Sequence, residues 1–443
     1  MSENNEKKKL RLIDGWAVGT GAMIGATIFV VSGAMSGAAG PAACISFLIA
    51  AGATILIALC CCEVSSAFPR SGGAYIYPLE AFGEKAKPLS FMTGWAFYGA
   101  QGLGSAALAS TCAFYLNWVF DILFGFSFNP GVFGVVIVII FGIINMINSE
   151  LGNATQLAST FIVLFILVGF AVWGAMNMDI KLITDNFNPY GFHGIVSAAA
   201  LGWAGFSGWS AIPNMASEFK NPGRDVPRSM ILSLVTCAVL FGFVILVMNG
   251  LLPGSQLAEE SAPLAAAAST FTKYGALFVA LGGVFAAIST LNGLMMSGAH
   301  LLAAMGTEGV FPHVVCKRSA NGTPWVALLI TTAGMCLLAA TGLVVFIMQM
   351  VAFVTACCWI VNIICLFGER KNRPDVDPQV KCPGYPVVPV LAIAIALYMI
   401  SRMSLKAVGV GAVWLVIGFI CYLLFTKTGI RNYCYKECEK PEA

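Results

Sequence analysis

Small and hydroxyl residues interrupt the first long apolar run of the sequence, residues 12–39. This run is long enough to cross a bilayer, since a crossing helix needs ~20 apolar residues. A break in such a helix frees backbone N–H and C=O groups, which a membrane tolerates only where they line a cavity or meet a ligand. A half-helix that starts near Gly25 would point its N–H groups and positive dipole end at a carboxylate. The interrupting residues are Gly19, Thr20, Gly21, Gly25 and Thr27.

The same glycines allow two other interpretations. Gly19, Gly21 and Gly25 have a spacing close to that of a dinucleotide-binding loop, but no strand precedes them and no acidic partner follows ~20 positions later. Small residues also allow close packing between helices, and glycines in one run alone would favour that interpretation. The prediction of a ligand site therefore needs a second interruption elsewhere in the chain.

The composition is that of a membrane protein with many crossings. Of the 443 residues, 58% are hydrophobic and 10% are charged, whereas a soluble domain has ~25% charged residues. The net charge of +3 comes from basic residues spread over short loops, so it does not indicate a nucleic-acid partner. The 15 cysteines lie in apolar runs or in segments assigned below to the cytoplasm, and the three histidines form no ligand pattern. We therefore expect no disulfide framework, no metal site and no cofactor.

Apolar runs recur twelve times, and the density of basic residues between them alternates. Segments on one side hold 20 of the 24 Lys and Arg residues, which places both termini in the cytoplasm. The predicted order is a tail at 1–11, a core at 12–368, a loop at 369–384, two further helices at 385–426 and a tail at 427–443. No cleaved signal peptide is predicted. The runs are 12–39, 42–67, 89–119, 131–148, 156–176, 194–217, 229–251, 275–304, 325–346, 347–368, 385–402 and 407–426.

A second interruption occurs in the sixth run, where residues 201–210 read LGWAGFSGWS. Glycine, serine and aromatic residues again replace a uniform apolar helix at mid-membrane depth. Runs one and six are the first helices of two five-helix halves. Paired interruptions at matching positions are the best sequence indication of a transporter built from inverted repeats around a central site.

Six motifs in the right order resemble those of the amino acid–polyamine–organocation (APC) transporter superfamily, over about residues 12–400. Residues 206–210 resemble in particular the branch that exchanges neutral amino acids. The six motifs are GAMIGATIF at 21–29 with GP at 40–41, FPRSGGAYIY at 68–77 after Glu63, EFKNPGRDVPR at 218–228, EGVFP at 308–312, GTP at 322–324 and KCPGYP at 381–386.

The resemblance implies an all-α integral membrane protein with the LeuT-like fold: two inverted five-helix repeats and two further helices. Helices one and six would be discontinuous, and a central site among helices one, three, six, eight and ten would open alternately to either side. The substrate carboxylate would meet the backbone of the first break, and the amino group would meet carbonyls of the second. The residues implied are Met23, Gly25, Ala26 and Thr27 in the first break and Phe206, Ser207 and Gly208 in the second.

The side-chain end of the site follows from the register with the family. Gln101, Ser105 and Leu294 would face the cavity, and Ser210 stands near where carriers of cationic substrates often hold a carboxylate. Phe206 is the aromatic residue expected to close over the substrate. No aspartate or glutamate lies deep in the five site helices, and an unpaired cation at mid-membrane would cost several kcal/mol. Neutral amino acids are therefore the favoured substrates, and cationic amino acids or polyamines are the alternative within the same fold.

Ion coupling is indicated less directly. Some relatives carry a lysine in helix five in place of sodium, and residues 156–176 contain none. Ser289 and Thr290 in helix eight offer adjacent hydroxyls, and hard cations prefer oxygen ligands, although such hydroxyls also bond to their own helix. Exchange without a coupling ion is therefore favoured over sodium or proton symport. Glu63 and Glu218, at cytoplasmic helix ends, are predicted gate or capping residues.

Two other classes of protein are disfavoured. A membrane-embedded enzyme should show paired Asp, His or Ser–Lys groups at depth, and a receptor should show a folded outer or cytoplasmic domain. The sequence has neither pattern, so we expect a carrier in the cell membrane whose partners are an amino acid, the bilayer and at most a sodium ion or proton. The identity of the amino acid and the number of copies that assemble are left open by the sequence.

Overall fold

The described part of the chain is helical, with one isolated bridge between Leu10 and Phe219. Most of the two predicted tails, and parts of the motifs at 68–77 and 308–312, lie outside the described residues. The computed structural model describes residues 10–69, 75–147, 151–307, 311–319 and 322–427.

Within those residues the chain forms 18 α-helices joined by short turns. They are α1 (Leu12–Met23), α2 (Ser32–Ala39), α3 (Ala43–Ala67), α4 (Tyr77–Phe82), α5 (Lys87–Phe97), α6 (Ala106–Phe124), α7 (Pro130–Ile147), α8 (Leu151–Asn177), α9 (Ile180–Thr184), α10 (Gly191–Gly202), α11 (Pro222–Leu251), α12 (Gly254–Glu259), α13 (Pro263–Ser269), α14 (Lys273–Thr307), α15 (Trp325–Ala339), α16 (Val344–Asn372), α17 (Val387–Ser401) and α18 (Leu405–Lys427).

Eight helical stretches in the described part are long and apolar enough to cross a membrane. Two of them are more than twice the ~20 residues of one crossing, because Leu12–Ala67 has 56 residues and Tyr77–Phe124 has 48. The shorter apolar helices α15 and α17 add to these eight. The chain is therefore a multi-pass, helical membrane protein in its described part, while the count of twelve crossings and the domain boundaries stay predictions.

The first long stretch changes its backbone geometry between α1 and α2. α1 ends at Met23, and Ile24 has extended angles of φ −80° and ψ 103°. A π-helical turn, Thr27–Val31, follows and leads into α2. The Tyr115 hydroxyl donates to the Phe29 carbonyl at 2.6 Å and so satisfies an acceptor within this wide turn. π turns are frequent at functional sites.

The segment that follows α10 is also irregular, and it touches the end of α1. A Cβ atom added to Gly208 would lie 2.5 Å from the carbonyl carbon of Ala22 and from the nitrogen of Met23. No side chain fits that space, so glycine allows the two irregular segments to meet backbone to backbone. Three 3₁₀ segments continue the chain beyond α10, namely Trp203–Phe206, Gly208–Ala211 and Pro213–Glu218.

The joint between α5 and α6 is a third irregular segment, which the apolar run at 89–119 did not predict. It consists of a π turn, Tyr98–Gly102, and a 3₁₀ turn, Leu103–Ser105. A Cβ atom added to Gly298 of α14 would lie 2.5 Å from the Cα atom of Gly102. Two glycines thus let α14 approach this joint closely, as small residues do between membrane helices.

Two tryptophans that exchange hydrogen bonds fasten α18 to α5. Trp95 Nε1 donates to the Trp414 carbonyl at 2.8 Å, and Trp414 Nε1 donates to the Trp95 carbonyl at 3.2 Å. Their rings stack with centroids 4.3 Å apart. Gly99 and Gly418 make room for the pair, because a Cβ atom at either position would clash with the opposite indole. The register of α18 along α5 is fixed by these contacts.

Candidate substrate cavity

A cavity of about 50 Å³ lies where the two irregular segments of α1–α2 and α10 meet the joint between α5 and α6. Residues of α14 and α16 complete its lining. All the described side chains that line it are uncharged. The elements that surround it bring together residues separated by more than 300 positions in the sequence, from Ala22 to Val351.

Most of the predicted substrate-binding residues line this cavity. They are Met23, Gly25, Ala26, Thr27, Gln101, Ser105, Ser207 and Leu294. The residues implied for the carboxylate and those implied for the side-chain end therefore share one space.

Three of the predicted residues lie elsewhere. Phe206 is fully buried, and its ring packs against Phe47 and Phe241 with centroids 6.0 and 5.8 Å away. Gly208 abuts the end of α1, and Ser210 Oγ donates to a carbonyl of its own turn at 2.6 Å. A 3₁₀ segment has ~3.0 residues per turn, so neighbouring side chains point in directions that the sequence spacing did not predict. The Phe206 ring does not cover this cavity.

Gln101 is the lining side chain best placed to bind a polar group of a ligand. It is 5% exposed, and its amide has no hydrogen-bond partner among the described residues. The two serines are engaged as donors, because Ser105 Oγ donates to the Gly102 carbonyl at 2.5 Å and Ser207 Oγ donates to the Ala204 carbonyl at 2.7 Å. These hydroxyls can still accept a hydrogen bond from a ligand.

One part of the lining is apolar and includes residues that the sequence analysis missed. Leu108 of α6 and Met348 and Val351 of α16 join Leu294. Met348 and Val351 are three positions apart, which places both on one face of a helix. Because helix ten, which corresponds to α16, was expected to border the site, this spacing could have identified Met348 and Val351 from the sequence. The cavity thus combines irregular backbone with an apolar wall, defined as Leu108, Leu294, Met348 and Val351.

A second void, of about 10 Å³, lies between α1, α8 and α14. Thr290 Oγ1 donates to the Gly21 carbonyl at 3.0 Å and lies 3.5 Å from the Ile24 carbonyl. This volume is that of about one water-sized sphere, and hard cations prefer oxygen ligands. The sequence analysis identified only the two hydroxyls of helix eight and missed those of helix five. The hydroxyl residues that line the void are Ser159, Thr160, Ser289 and Thr290.

A comparison with protein families decides the class of this protein. The model of the amino acid permease family matches residues 10–426. The chain belongs to this family, within the APC superfamily. The resemblance to the APC superfamily is thereby confirmed, and the family is one of transporters.

Individual relatives of this permease differ in substrate. It is 28% identical to the branched-chain amino acid permease BcaP of Bacillus subtilis (strain 168), over 96% of this chain and 94% of the relative. It is 27% identical to the methylthioribose transporter of the same organism, over 95% of this chain and 94% of the relative. It is 29% identical to the cationic amino acid transporter 9, chloroplastic, of Arabidopsis thaliana, over 70% of this chain and 57% of the relative. The family therefore gives the class of this permease and not its cargo.

Glu63 of the permease is not among the residues that line the cavity, and it forms an ion pair with Arg370, whose side chain is 31% exposed. Glu63 is 1% exposed and accepts hydrogen bonds from Arg370 Nε at 2.7 Å and Nη2 at 2.8 Å. The backbone N–H of Cys382 donates a third bond at 2.5 Å, and the Arg370 guanidinium lies 3.9 Å from the centre of the Tyr385 ring. This cluster ties α3 to the end of α16 and to the segment before α17.

The surroundings of the ion pair add a thiol contact. Cys60 and Cys382 have sulfur atoms 3.7 Å apart, and the hydrogen bond between the two thiols lowers the pKa of Cys382. Glu218 ends the 3₁₀ segment Pro213–Glu218, and its side chain lies outside what the structure describes. The gate role of Glu63 and Glu218 stays a prediction.

Proposed function

We propose that this permease carries neutral amino acids with apolar side chains across a cell membrane by alternating access. One observation carries the proposal: no charged side chain occurs among the described residues that line the cavity. A cationic side chain in that space would have no carboxylate to pair with, and an unpaired charge at membrane depth costs several kcal/mol. A zwitterion avoids this cost when backbone groups meet both of its charges.

The architecture that we propose for this transport is the LeuT-like fold. It would comprise twelve crossings, with two inverted five-helix repeats, the additional helices α17 and α18, and both termini in the cytoplasm. The backbone contact of Gly208 with Ala22 and Met23 supports it, because broken helices in such carriers meet at the interface of the repeats. The uneven distribution of Lys and Arg between alternate segments supports the orientation.

In the proposed binding mode the two ends of the zwitterion meet different backbone segments. The carboxylate would accept from N–H groups after Ile24, where the chain turns helical again at Ala26. The amino group would donate to carbonyls near Ser207, and the Gln101 amide would contact either end. The apolar wall would enclose the substrate side chain, as expected for a branched aliphatic group.

Counterflow in proteoliposomes tests the substrate class. Vesicles of purified permease would be loaded with unlabelled leucine, arginine or methylthioribose and supplied with the same compound in labelled form. We expect leucine to accumulate and arginine to remain at the level of protein-free vesicles. Accumulation of arginine or methylthioribose without leucine would contradict the proposal.

A pair of matched variants tests the site. Gln101→Ala removes the free amide from the cavity, whereas Gln349→Ala changes the same residue type on α16 outside the lining. Losing one hydrogen bond to a charged substrate end is worth roughly 1.5–3 kcal/mol, so we expect the apparent KM of the first variant to rise about tenfold or more. Equal KM values for the two variants would show that the cavity is not the binding site.

We propose secondly that transport is coupled to sodium. The observation behind this proposal is the second void, beside the first irregular segment, which is lined by hydroxyl side chains and by Gly21, whose carbonyl accepts from Thr290. Leucine uptake would be measured into empty vesicles with and without an inward sodium gradient. We expect the gradient to drive uptake in the unchanged permease and in Thr332→Ala, whose hydroxyl bonds only to its own helix. We expect Thr290→Ala to lose the response. Uptake that requires internal amino acid and ignores sodium and proton gradients would identify an exchanger instead.

A further inference from the structure

An apolar groove of about 530 Å³ opens on the outer surface of the helix bundle, away from the substrate cavity. Leu59 of α3 and Ile231 and Val235 of α11 line it, with Leu12 at the start of α1 and Val380 before α17. We call it the α3–α11 groove. Among the described residues that line it, Arg228 of α11 is the one with a charged side chain.

The exposed face of α11 shows what environment the groove meets. Side chains three and four positions apart lie on one face of a helix. On this face Arg224 and Arg228 occupy the first two turns, and Leu232, Val235 and Val239 follow, exposed by 42%, 45% and 65%. Exposed aliphatic residues on a membrane-spanning helix contact lipid chains, and an arginine at the helix end reaches the headgroup level. Arg228 therefore marks the boundary between acyl chains and headgroups.

The charge at this boundary is positive. Neither Arg224 nor Arg228 has an ion-pair partner within the part of the chain that the structure describes. Lys220, two residues before the start of α11, is a further basic residue near them. Asp225 lies on the same helix, between the two arginines. Across the groove, Lys381 is paired with Asp377 at 2.8 Å.

The acidic residue on the opposite helix is engaged by the backbone. Asp14 of α1 accepts a hydrogen bond from the Arg11 backbone N–H at 2.8 Å, and the Arg11 side chain adds one more positive charge. Basic residues thus outnumber acidic ones around the groove mouth, which favours an anionic group there.

We propose that the α3–α11 groove binds an anionic glycerophospholipid, with one acyl chain along Leu59, Ile231 and Val235 and the phosphate on Arg228. The ligand needs both an aliphatic chain and an adjacent anion, and a lipid in the surrounding bilayer supplies the two in the right order. Basic pockets between membrane helices bind anionic headgroups in this way. The proposal does not depend on which substrate the permease carries.

The groove also adjoins a contact that matters for α1. Ser229 Oγ donates to the Leu12 carbonyl at 2.9 Å, and the Lys220 backbone N–H donates to the Leu10 carbonyl at 2.9 Å. These bonds fasten the start of α1 to α11, beside the proposed headgroup site. A lipid in the groove would touch Leu12 and so restrain movement of α1, the helix that leads into the substrate cavity.

Native mass spectrometry of the purified permease tests the proposal. The protein would be mixed in neutral detergent with equal amounts of phosphatidylglycerol and phosphatidylcholine of identical acyl chains, and the lipids that stay bound would be counted. We expect phosphatidylglycerol to be retained about fivefold more than phosphatidylcholine, the effect of roughly one favourable basic contact. We expect Arg228→Gln to remove this preference and Arg402→Gln, an arginine after α17, to keep it.

A second variant separates the acyl-chain part from the headgroup part. Val235→Trp fills the groove without a change of charge, so we expect it to lower retention of both lipids. Each variant would first be checked for a single symmetric peak in size-exclusion chromatography, which the exposure of Arg228 and Val235 leads us to expect. Equal retention of the two lipids by the unchanged permease, or an undiminished preference in Arg228→Gln, would overturn the proposal.

Discussion

Replacing Gly208 with alanine is expected to slow transport at least tenfold while leaving the helices assembled. The added Cβ atom would lie 2.5 Å from the carbonyl carbon of Ala22 and from the nitrogen of Met23. Both of these are backbone atoms, so neither can turn aside as the end of a flexible side chain could. The segment after α10 and the end of α1 must therefore separate.

The size of this separation follows from ordinary packing. Ordinary contacts of Cβ atoms begin at 3.4 Å, so the two segments must part by about 0.9 Å. Overpacking of this kind costs roughly 1–3 kcal/mol. Because Met23 and the residues after it line the cavity together with Ser207, the same shift changes the distance between the two proposed binding segments. A displacement near 1 Å in a preorganised site can cost about a hundredfold in rate, so we expect leucine counterflow to fall at least tenfold.

A second glycine serves as the control for this substitution. Gly52 of α3 is exposed, and a Cβ atom there would have no neighbour within 4 Å. Counterflow and the melting temperature in detergent would be measured for Gly208→Ala, Gly52→Ala and the unchanged permease. We expect Gly52→Ala to match the unchanged protein in both. Counterflow by Gly208→Ala within twofold of the unchanged protein would refute the view that the two backbones touch in the transport cycle.

Three further changes follow from other contacts. Arg370→Ala leaves the buried Glu63 carboxylate without its guanidinium partner, so we expect the free energy of unfolding to fall by about 3–5 kcal/mol and the melting temperature to drop. The double change Glu63→Gln with Arg370→Met removes both charges and should recover part of this loss, and no recovery would mean that the unpaired charge is not its cause. Tyr115→Phe leaves the Phe29 carbonyl without its donor, and a loss of about 1–3 kcal/mol is expected, so an unchanged melting temperature would argue against that hydrogen bond. Gly298→Leu should prevent α14 from reaching the α5–α6 joint, and normal expression with full counterflow would contradict this packing.

Local composition drew attention to two places as candidates for irregular backbone, and the discontinuous helices one and six stay a prediction. Glycines and threonines around Gly25, and glycine with serine around Ser207, stand where a uniform apolar helix needs neither, and the structure departs from α-helical geometry at both. The same reasoning was less effective between α5 and α6, because small residues near Gly102 were assigned to a continuous helix. A π turn has no composition of its own that a single sequence could reveal.

Contacts across the fold were beyond the reach of the sequence. Glu63 was recognised as a residue at a helix end, but its partner Arg370 is 307 positions away, and no local pattern joins them. The direction of the Phe206 side chain depends on the 3₁₀ geometry of its segment, so its burial against Phe47 could not be read from spacing. Met348 was missed because it looks like any other apolar residue of a long helix.

The reciprocal bonds between Trp95 and Trp414 have a consequence for how such chains can diverge. Each indole occupies the space left by a glycine on the opposite helix, Gly418 for Trp95 and Gly99 for Trp414. A larger residue at position 99 would be tolerated only with a smaller one at 414, and likewise for positions 418 and 95. These four positions should therefore vary together among related permeases that keep α18 against α5, and change independently in those that have lost that contact.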